Sequence, residues 1–278
     1  MKDFPDVLAD LMVKHNVLFF DAYYPSKPVS SFELEPVTPD MITRVHSPEM
    51  VEKVNNSGVY LGAMYSAAGT VAAGRRIWNG EIDNAFIFTG YGDHHAGSNF
   101  FGGGCYFNGA AIAIKELQKA FGARRFAIID TDAHHGDGSW ELFESDPDVM
   151  YFCFCPGRDE NSGNNFNIQL PWPLTSDKYL KLVRQYFIPA VKSYQPEAIF
   201  WNWGYDGTVG EYGDMGLPVD FHAKLASELK ETADKICSGR LITVLCGGQR
   251  RDYAARLIPE IIKVLAGPDI SCRGSTCH

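Results

Sequence analysis

Short, unbroken apolar runs alternate with longer amphipathic stretches along this chain, and that alternation restricts its fold more than any other feature. The runs are Val17 to Phe20, Ala85 to Thr89, Arg125 to Ile129, Val149 to Phe154, Ala198 to Trp203 and Leu241 to Leu245. Within them the apolar residues continue without polar alternation, as in strands covered on both faces. Between them, Ser47-Pro48-Glu49 reads as an N-cap, a first-turn proline and a dipole-favoured acid opening a helix to about Val54. Tyr60 to Trp78, Phe221 to Ile236 and Tyr253 to Leu265 are also read as helical. So is the stretch carrying Tyr179, Leu182, Val183, Tyr186, Phe187, Ala190 and Val191, with Pro189 as a kink point. Strands joined through helices give an α/β fold of three layers, a mostly parallel central sheet with helices on both faces. With 278 residues, 45% of them hydrophobic, and no repeat or linker, residues 1–278 are read as one domain.

Charge narrows the partners. The chain has 25 basic and 34 acidic residues, a formal net of −9, so its field repels phosphate backbones and no nucleic-acid partner is expected. No apolar run reaches the roughly 18 to 20 residues that span a bilayer. The opening Met1 to Phe20 is broken by Asp3, Asp6, Asp10 and Lys14, so neither a signal peptide nor a membrane anchor is expected. Seven cysteines without regular spacing point to a reduced cytoplasm rather than a disulfide framework. Cys272 and the Cys277-His278 pair are read as part of a frayed tail, a metal-binding role for them being the weaker reading.

In a parallel sheet, chemistry gathers beyond the carboxyl ends of the strands, and four such ends carry polar clusters. They are Gly90 to Ala96, Asp130 to Gly138, Gly204-Tyr205-Asp206 and Cys246 to Arg251. Asp132 and His134 project to one side of an extended backbone and can reach one cation. Adding Asp206 gives two carboxylates and an imidazole, and three protein ligands with an open position mark catalytic zinc. Two carboxylates also make the site tolerant of iron, cobalt or manganese. The adjacent imidazoles of His94 and His95 are costly to bury unpartnered, and Asp130 and Asp137 are the carboxylates left to orient them. A histidine fixed by a carboxylate has its tautomer set and its basicity raised, which suits proton transfer.

These residues resemble the histone deacetylase family, with its acetylpolyamine relatives, in the arginase/deacetylase fold. The likeness covers roughly Val45 to Leu265 and rests on His46-Ser47-Pro48-Glu49, His94-His95-Ala96 and Gly103-Gly104-Cys105-Tyr106-Phe107-Asn108. It rests further on Asp130-x-Asp132-x-His134-His135-Gly136-Asp137-Gly138, Gly204-Tyr205-Asp206 and Leu245-Cys246-Gly247-Gly248. The resemblance implies that Asp132, His134 and Asp206 bind Zn2+. It makes His95 with Asp137 the general base and acid, and His94 with Asp130 its electrostatic companion. It also implies a K+ site on oxygens of Asp130, Asp132 and His134 with carbonyls near Cys153 and Phe154. The implied activity is amide hydrolysis by metal-activated water, releasing a carboxylate and an amine.

Several positions depart from the family's usual pattern. Gln249 stands where most members place an oxyanion-stabilising tyrosine, and Gln249, or failing it Arg250 or Arg251, is expected to take that place. Gly104, beside Gly103, replaces a phenylalanine of the narrow acyl-lysine tunnel, and Gly90 to Asp93 and Pro156 to Asn161 differ as well. Gly103, Gly104 and Tyr205 are therefore read as walls of a remodelled substrate pocket, with Tyr91, Phe100, Phe101 and Tyr212 as further lining residues. The expected substrate is a small N-acylated amine rather than a histone tail. Net negative charge favours a cationic amine such as a polyamine, while Arg158, Arg250 and Arg251 equally suit a carboxylate. Two other readings stand beside this one. A silent metal-bound protein that grips acyl compounds accounts for Gln249 and Gly104. A binuclear manganese hydrolase of the arginase type shares Asp132-Ala133-His134, although Asp206 is followed by Gly207-Thr208 and not by a second acid.

Overall fold

The computed structural model describes residues 34–267. The expected strand Val17 to Phe20 and the tail residues Cys272, Cys277 and His278 lie outside them. Three helices lead into the sheet: α1 (Pro39–Thr43), α2 (Pro48–Asn56) and α3 (Tyr60–Trp78). The order continues β1 (Ala85–Ile87), α4 (Gly109–Phe121), β2 (Phe126–Asp130), α5 (Asp137–Phe143), β3 (Val149–Cys155), β4 (Glu160–Ser162) and β5 (Asn165–Gln169). It closes with α6 (Ser176–Leu182), α7 (Ile188–Tyr194), β6 (Ala198–Trp203), α8 (Phe221–Cys237), β7 (Leu241–Leu245) and α9 (Arg251–Ala266).

The described strands form one sheet in the order β1-β7-β6-β2-β3-β5-β4, parallel throughout except for the β4–β5 pair. Side chains alternate across it. Phe126, Ile128, Phe200, Ile242 and Val244 face a core closed by α2, α3 and α4. Ala127, Ile129, Phe152, Phe154, Trp201 and Trp203 face a second core closed by α6, α8 and α9. Both faces are dry, which is why β2, β3 and β6 read as continuous apolar runs.

The N-cap of α2 is Ser47, whose hydroxyl accepts from the Met50 N–H. The helical periodicity around Pro189 resolves into α6, a π-helical turn at Val183–Phe187, and α7. The widened turn precedes Pro189, which has no N–H to offer the helix. Helix α4 carries no amphipathic stripe in its first half, because Gly109 through Ile114 are all buried. Its start is marked by Asn108, whose side chain accepts from the Ala111 N–H. Strand β5 alternates Asn165, Asn167 and Gln169 with Phe166 and Ile168, so it reads as polar loop although both asparagines are buried.

Two histidines are built into this frame as neutral rings. His46 Nδ1 lies 2.8 Å from the Gly97 carbonyl, and its Nε2 accepts from the Asn108 N–H at 3.0 Å. His222 Nδ1 accepts from Trp203 Nε1–H at 3.0 Å, and its Nε2 lies 2.8 Å from the Thr208 hydroxyl. Burial pushes His46 down to about 4 and His222 down to about 3. A depressed histidine takes up protons more readily when unfolded, so its contribution is present above the unfolded value near 6.5 and is lost as pH falls toward the folded value. Denaturant midpoints of the wild type and His46→Gln are expected to differ most at pH 7. The difference should shrink between pH 6.5 and 4, and a constant difference across that window would show that His46 is not held neutral.

Candidate metal centre and its paired histidines

Strands β2 and β6 lie side by side, but their neighbours on the other side lead in opposite directions, to β3 and to β7. That makes the β2/β6 junction a switch point, where loops splay apart and leave a crevice beyond the carboxyl ends. Into it come the loop after β2 with Asp132 and His134, the loop after β6 with Asp206, and the loop after β7 with Gly247.

Short carboxylate turns fix the first of these loops. Asp130 Oδ1 accepts the Asp132 N–H at 3.2 Å, and Asp132 Oδ1 accepts the His134 N–H at 3.0 Å. Asp206 Oδ1 accepts the Ala133 N–H at 3.1 Å, joining the loops after β2 and β6. Below them, Trp201 Nε1–H donates to the Thr131 hydroxyl at 2.8 Å.

These bonds occupy one oxygen of each ligand carboxylate and leave the other. Asp132 Oδ2 and Asp206 Oδ2 are buried with no hydrogen-bond partner, although His134 Nδ1 lies 2.8 Å from Asp206 Oδ2. Donor atoms of Asp132, His134 and Asp206 lie within 4.8 Å of one another. A side-chain carbon on Gly204 or Gly247 would overlap Asp132 Oδ2 and crowd Asp206. Two orphaned carboxylate oxygens, an imidazole and a glycine cradle are what a divalent cation with one open position requires. Burial, with the Asp132 charge beside it, pushes Asp206 up to about 7, a cost that a bound cation removes.

The two histidines lie in the loop from Gly90 to Ala96. Asp93 Oδ2 accepts the Ala110 N–H at the start of α4, and Asn108 donates to the Ala96 carbonyl and the Ser139 hydroxyl. His94 Nδ1 lies 2.9 Å from Asp130 Oδ2, and His95 Nδ1 lies 2.6 Å from Asp137 Oδ1. Their ring centroids are 4.1 Å apart, and that of His95 is 6.2 Å from His134. Burial opposes charging of His94, but the carboxylates of Asp130 and Asp132 outweigh it and push the ring up to about 10. His95 moves down, first through desolvation and then through the neighbouring His94 charge. The two adjacent imidazoles are thus driven in opposite directions by their surroundings.

The remaining expected residues divide. Gly103, at φ +57°, lies so close to the His95 ring that any side chain there would collide with it, whereas Gly104 faces open space. Tyr205 is 4% exposed and packed between Trp203 and the Gly248 backbone. Contrary to the expectation of a pocket wall, it supports the loop from within the core. Gln249 is exposed, and its backbone N–H reaches the Glu211 carboxylate at 3.2 Å. Arg250 is engaged by Asp252 and lies over the Tyr253 ring, and Arg158 lies 3.4 Å from Glu160. Phe101 and Tyr91 both pack on Tyr106, while Phe100 is partly exposed.

Tyr212 emerges from the structure with a larger part than its sequence position announces. Its ring stacks on His134, centroids 5.5 Å apart at 25°, and its hydroxyl accepts the Gly248 N–H at 3.1 Å. It is 55% exposed and so faces the crevice as well. Glu211, 6% exposed, accepts the N–H groups of Gln249 and Arg250 at the start of α9 and so clamps the loops after β6 and β7 together. Only an aromatic beside an acid in a glycine-rich loop signals either role in the sequence.

Comparison with known proteins agrees with this geometry. The histone deacetylase domain model matches residues 12–265, and the chain belongs to the histone deacetylase family. It is 33% identical over 230 residues to a probable deacetylase of Archaeoglobus fulgidus, covering 77% of this chain and 64% of that protein. It is 28% identical to the polyamine deacetylase HDAC10 of Danio rerio, over 80% of this chain and 36% of the relative. It is also 28% identical to a histone deacetylase-like amidohydrolase of Pseudomonas aeruginosa, over 76% and 59%. The chain thus spans less than two thirds of the length of each of these relatives. No helix among the described residues is long and apolar enough to cross a membrane.

Asp206→Ala is expected to strip divalent metal from the protein, read as metal per chain by elemental analysis after dialysis. Full metal content in that variant would remove Asp206 from the donor set.

Proposed function

We propose that the chain is a zinc-dependent amidohydrolase that cleaves the amide of a small N-acylated amine. The observation carrying this reading is the pair of adjacent imidazoles, each bonded through Nδ1 to its own carboxylate, beside an Asp132–His134–Asp206 donor set whose carboxylates each keep an unbonded oxygen. Zinc held by those three residues supplies Lewis-acid polarisation of the amide carbonyl and of the attacking water.

The chain's own groups do the rest. His95, bonded through Nδ1 to Asp137, presents Nε2 to take the proton of the attacking water and to return it to the leaving amine. His94, kept protonated by Asp130, places positive charge beside the group that becomes anionic. Tyr212 is the oxyanion donor in this reading, because its hydroxyl accepts the Gly248 N–H and keeps its own hydrogen to donate, and its ring rests on His134. The chain's net charge of −9 favours an amine that carries positive charge. Free cysteines at 105, 153, 155, 237 and 246 support a reducing compartment, the cytoplasm. We read residues 1–278 as a single catalytic domain.

Zinc-loaded protein assayed on N-acylated polyamines, amino acids, amino sugars and lysine peptides should release carboxylate from a cationic acylated amine, with a chelator abolishing turnover. Binding of these compounds without carboxylate release in a single-turnover assay would instead make the chain a silent binder.

His95→Ala should keep its metal and lose roughly 100-fold or more in kcat, and unchanged turnover would assign the base elsewhere. Tyr212→Phe should lose about 100- to 1,000-fold in kcat, while Gln249→Ala stays within about threefold of wild type. The reverse pattern would return the oxyanion role to Gln249.

A further inference from the structure

Strand β3 brings two cysteines to the same face, two residues apart, in the register that sets Cys153 beside Asp130 of β2. Their Sγ atoms are 3.0 Å apart, and both residues are fully buried. Cys155 Sγ is also 3.5 Å from His135 Nδ1 and 3.0 Å from Asn167 Oδ1. Donor atoms of His135, Cys153 and Cys155 all lie within 4.8 Å of one another. His135 is half-buried against Trp140, centroids 5.3 Å apart, and is the one member of the cluster with solvent exposure.

Without a cation the thiols satisfy each other, Cys153 donating to Cys155 and Cys155 to Asn167. The amidohydrolase reading has no use for them, and their chemistry differs from that of the neighbouring centre. Carboxylates with one imidazole serve a range of divalent ions, whereas two sulfurs and an imidazole select a soft one. We propose that Cys153, Cys155 and His135 form a second metal site, for a thiophilic divalent cation such as Zn2+ or Cd2+.

The balance is simple. One M2+ enters, two M–S bonds and one M–N bond form, and two thiol protons leave to solvent. Net charge inside the protein is unchanged, so the buried Asp130 nearby meets no new repulsion. A tetrahedral ion with bonds of about 2.3 Å to sulfur sets the sulfurs roughly 3.8 Å apart, which requires them to part by less than 1 Å. Asn167 Oδ1 stands ready beside Cys155 for the fourth corner.

The test is a Cd2+ titration of the full chain carrying Cys272→Ser and Cys277→Ser, freed of metal with a chelator. The thiolate-to-cadmium charge-transfer band in the ultraviolet is the readout, and it does not depend on enzymatic activity. One band-forming equivalent per chain is expected, and it should persist in Asp206→Ala, which disables only the carboxylate centre. It should vanish when Cys153 and Cys155 are both replaced by serine. His135→Gln, at a half-exposed position that is not part of the core, should weaken Cd2+ by about tenfold or more. Circular dichroism and the Cd2+-induced rise in Tm separate lost binding from lost folding. No band in the starting protein, a band surviving the double replacement, or unchanged affinity in a folded His135→Gln would overturn the site.

Discussion

The carboxylate of Asp130 is the fixed point of the molecule. It ends β2, is fully buried, and gathers His94 Nδ1 at 2.9 Å, the Tyr151 hydroxyl at 2.8 Å, Asn202 at 3.4 Å and the Asp132 N–H at 3.2 Å. Those partners come from the histidine loop, from β3, from β6 and from the metal loop. A buried charge is tolerated only when several donors meet it at once, so strand register and loop conformation are set together. Tyr151 shows the strength of the coupling, since burial beside Asp130 drives its phenol well above the usual range.

From that point the division of labour between the histidines follows. Two rings of the same chemistry, adjacent in sequence, differ in proton affinity because their carboxylates are differently solvated. Asp130 is buried and Asp137 is more than half exposed. Water screens the second pair more than the first, so the carboxylates push His94 up, while His95 moves down, first through its own desolvation and then through the charge of His94. Sequence adjacency is part of the device, because the cation that lowers His95 must stand within van der Waals reach of it.

Much of this was legible in the residues. Ala198–Trp203 and Leu241–Leu245 end in the structure where their apolar runs end, and Tyr60–Trp78 is a helix throughout. Asp132, His134 and Asp206 meet because parallel strands deliver their carboxyl ends to one rim. Helix α4 is hard to read because its first half is buried on every side and shows no stripe, and β5 because its buried asparagines donate to the carbonyls of Trp140 in α5 and of Arg158, contacts that no local pattern encodes. Tyr205 was misread for a related reason. Its neighbour Asp206 joins the donor cluster, whereas the Tyr205 ring packs on Trp203 and the Gly248 backbone. The place of Tyr212 depends on how a glycine-rich loop folds back onto Gly248, and no local pattern encodes that return.

Glu211 has a consequence for how such a crevice can change. By capping α9 while holding the loop after β6, it makes the wall carrying Tyr212 and the strand end carrying Gly247 a single rigid unit. Gly104 and the exposed stretch from Pro156 to Asn161 lie outside that clamp. Rearrangement of those exposed residues therefore leaves the hydrogen bonds that join the loops after β6 and β7 untouched.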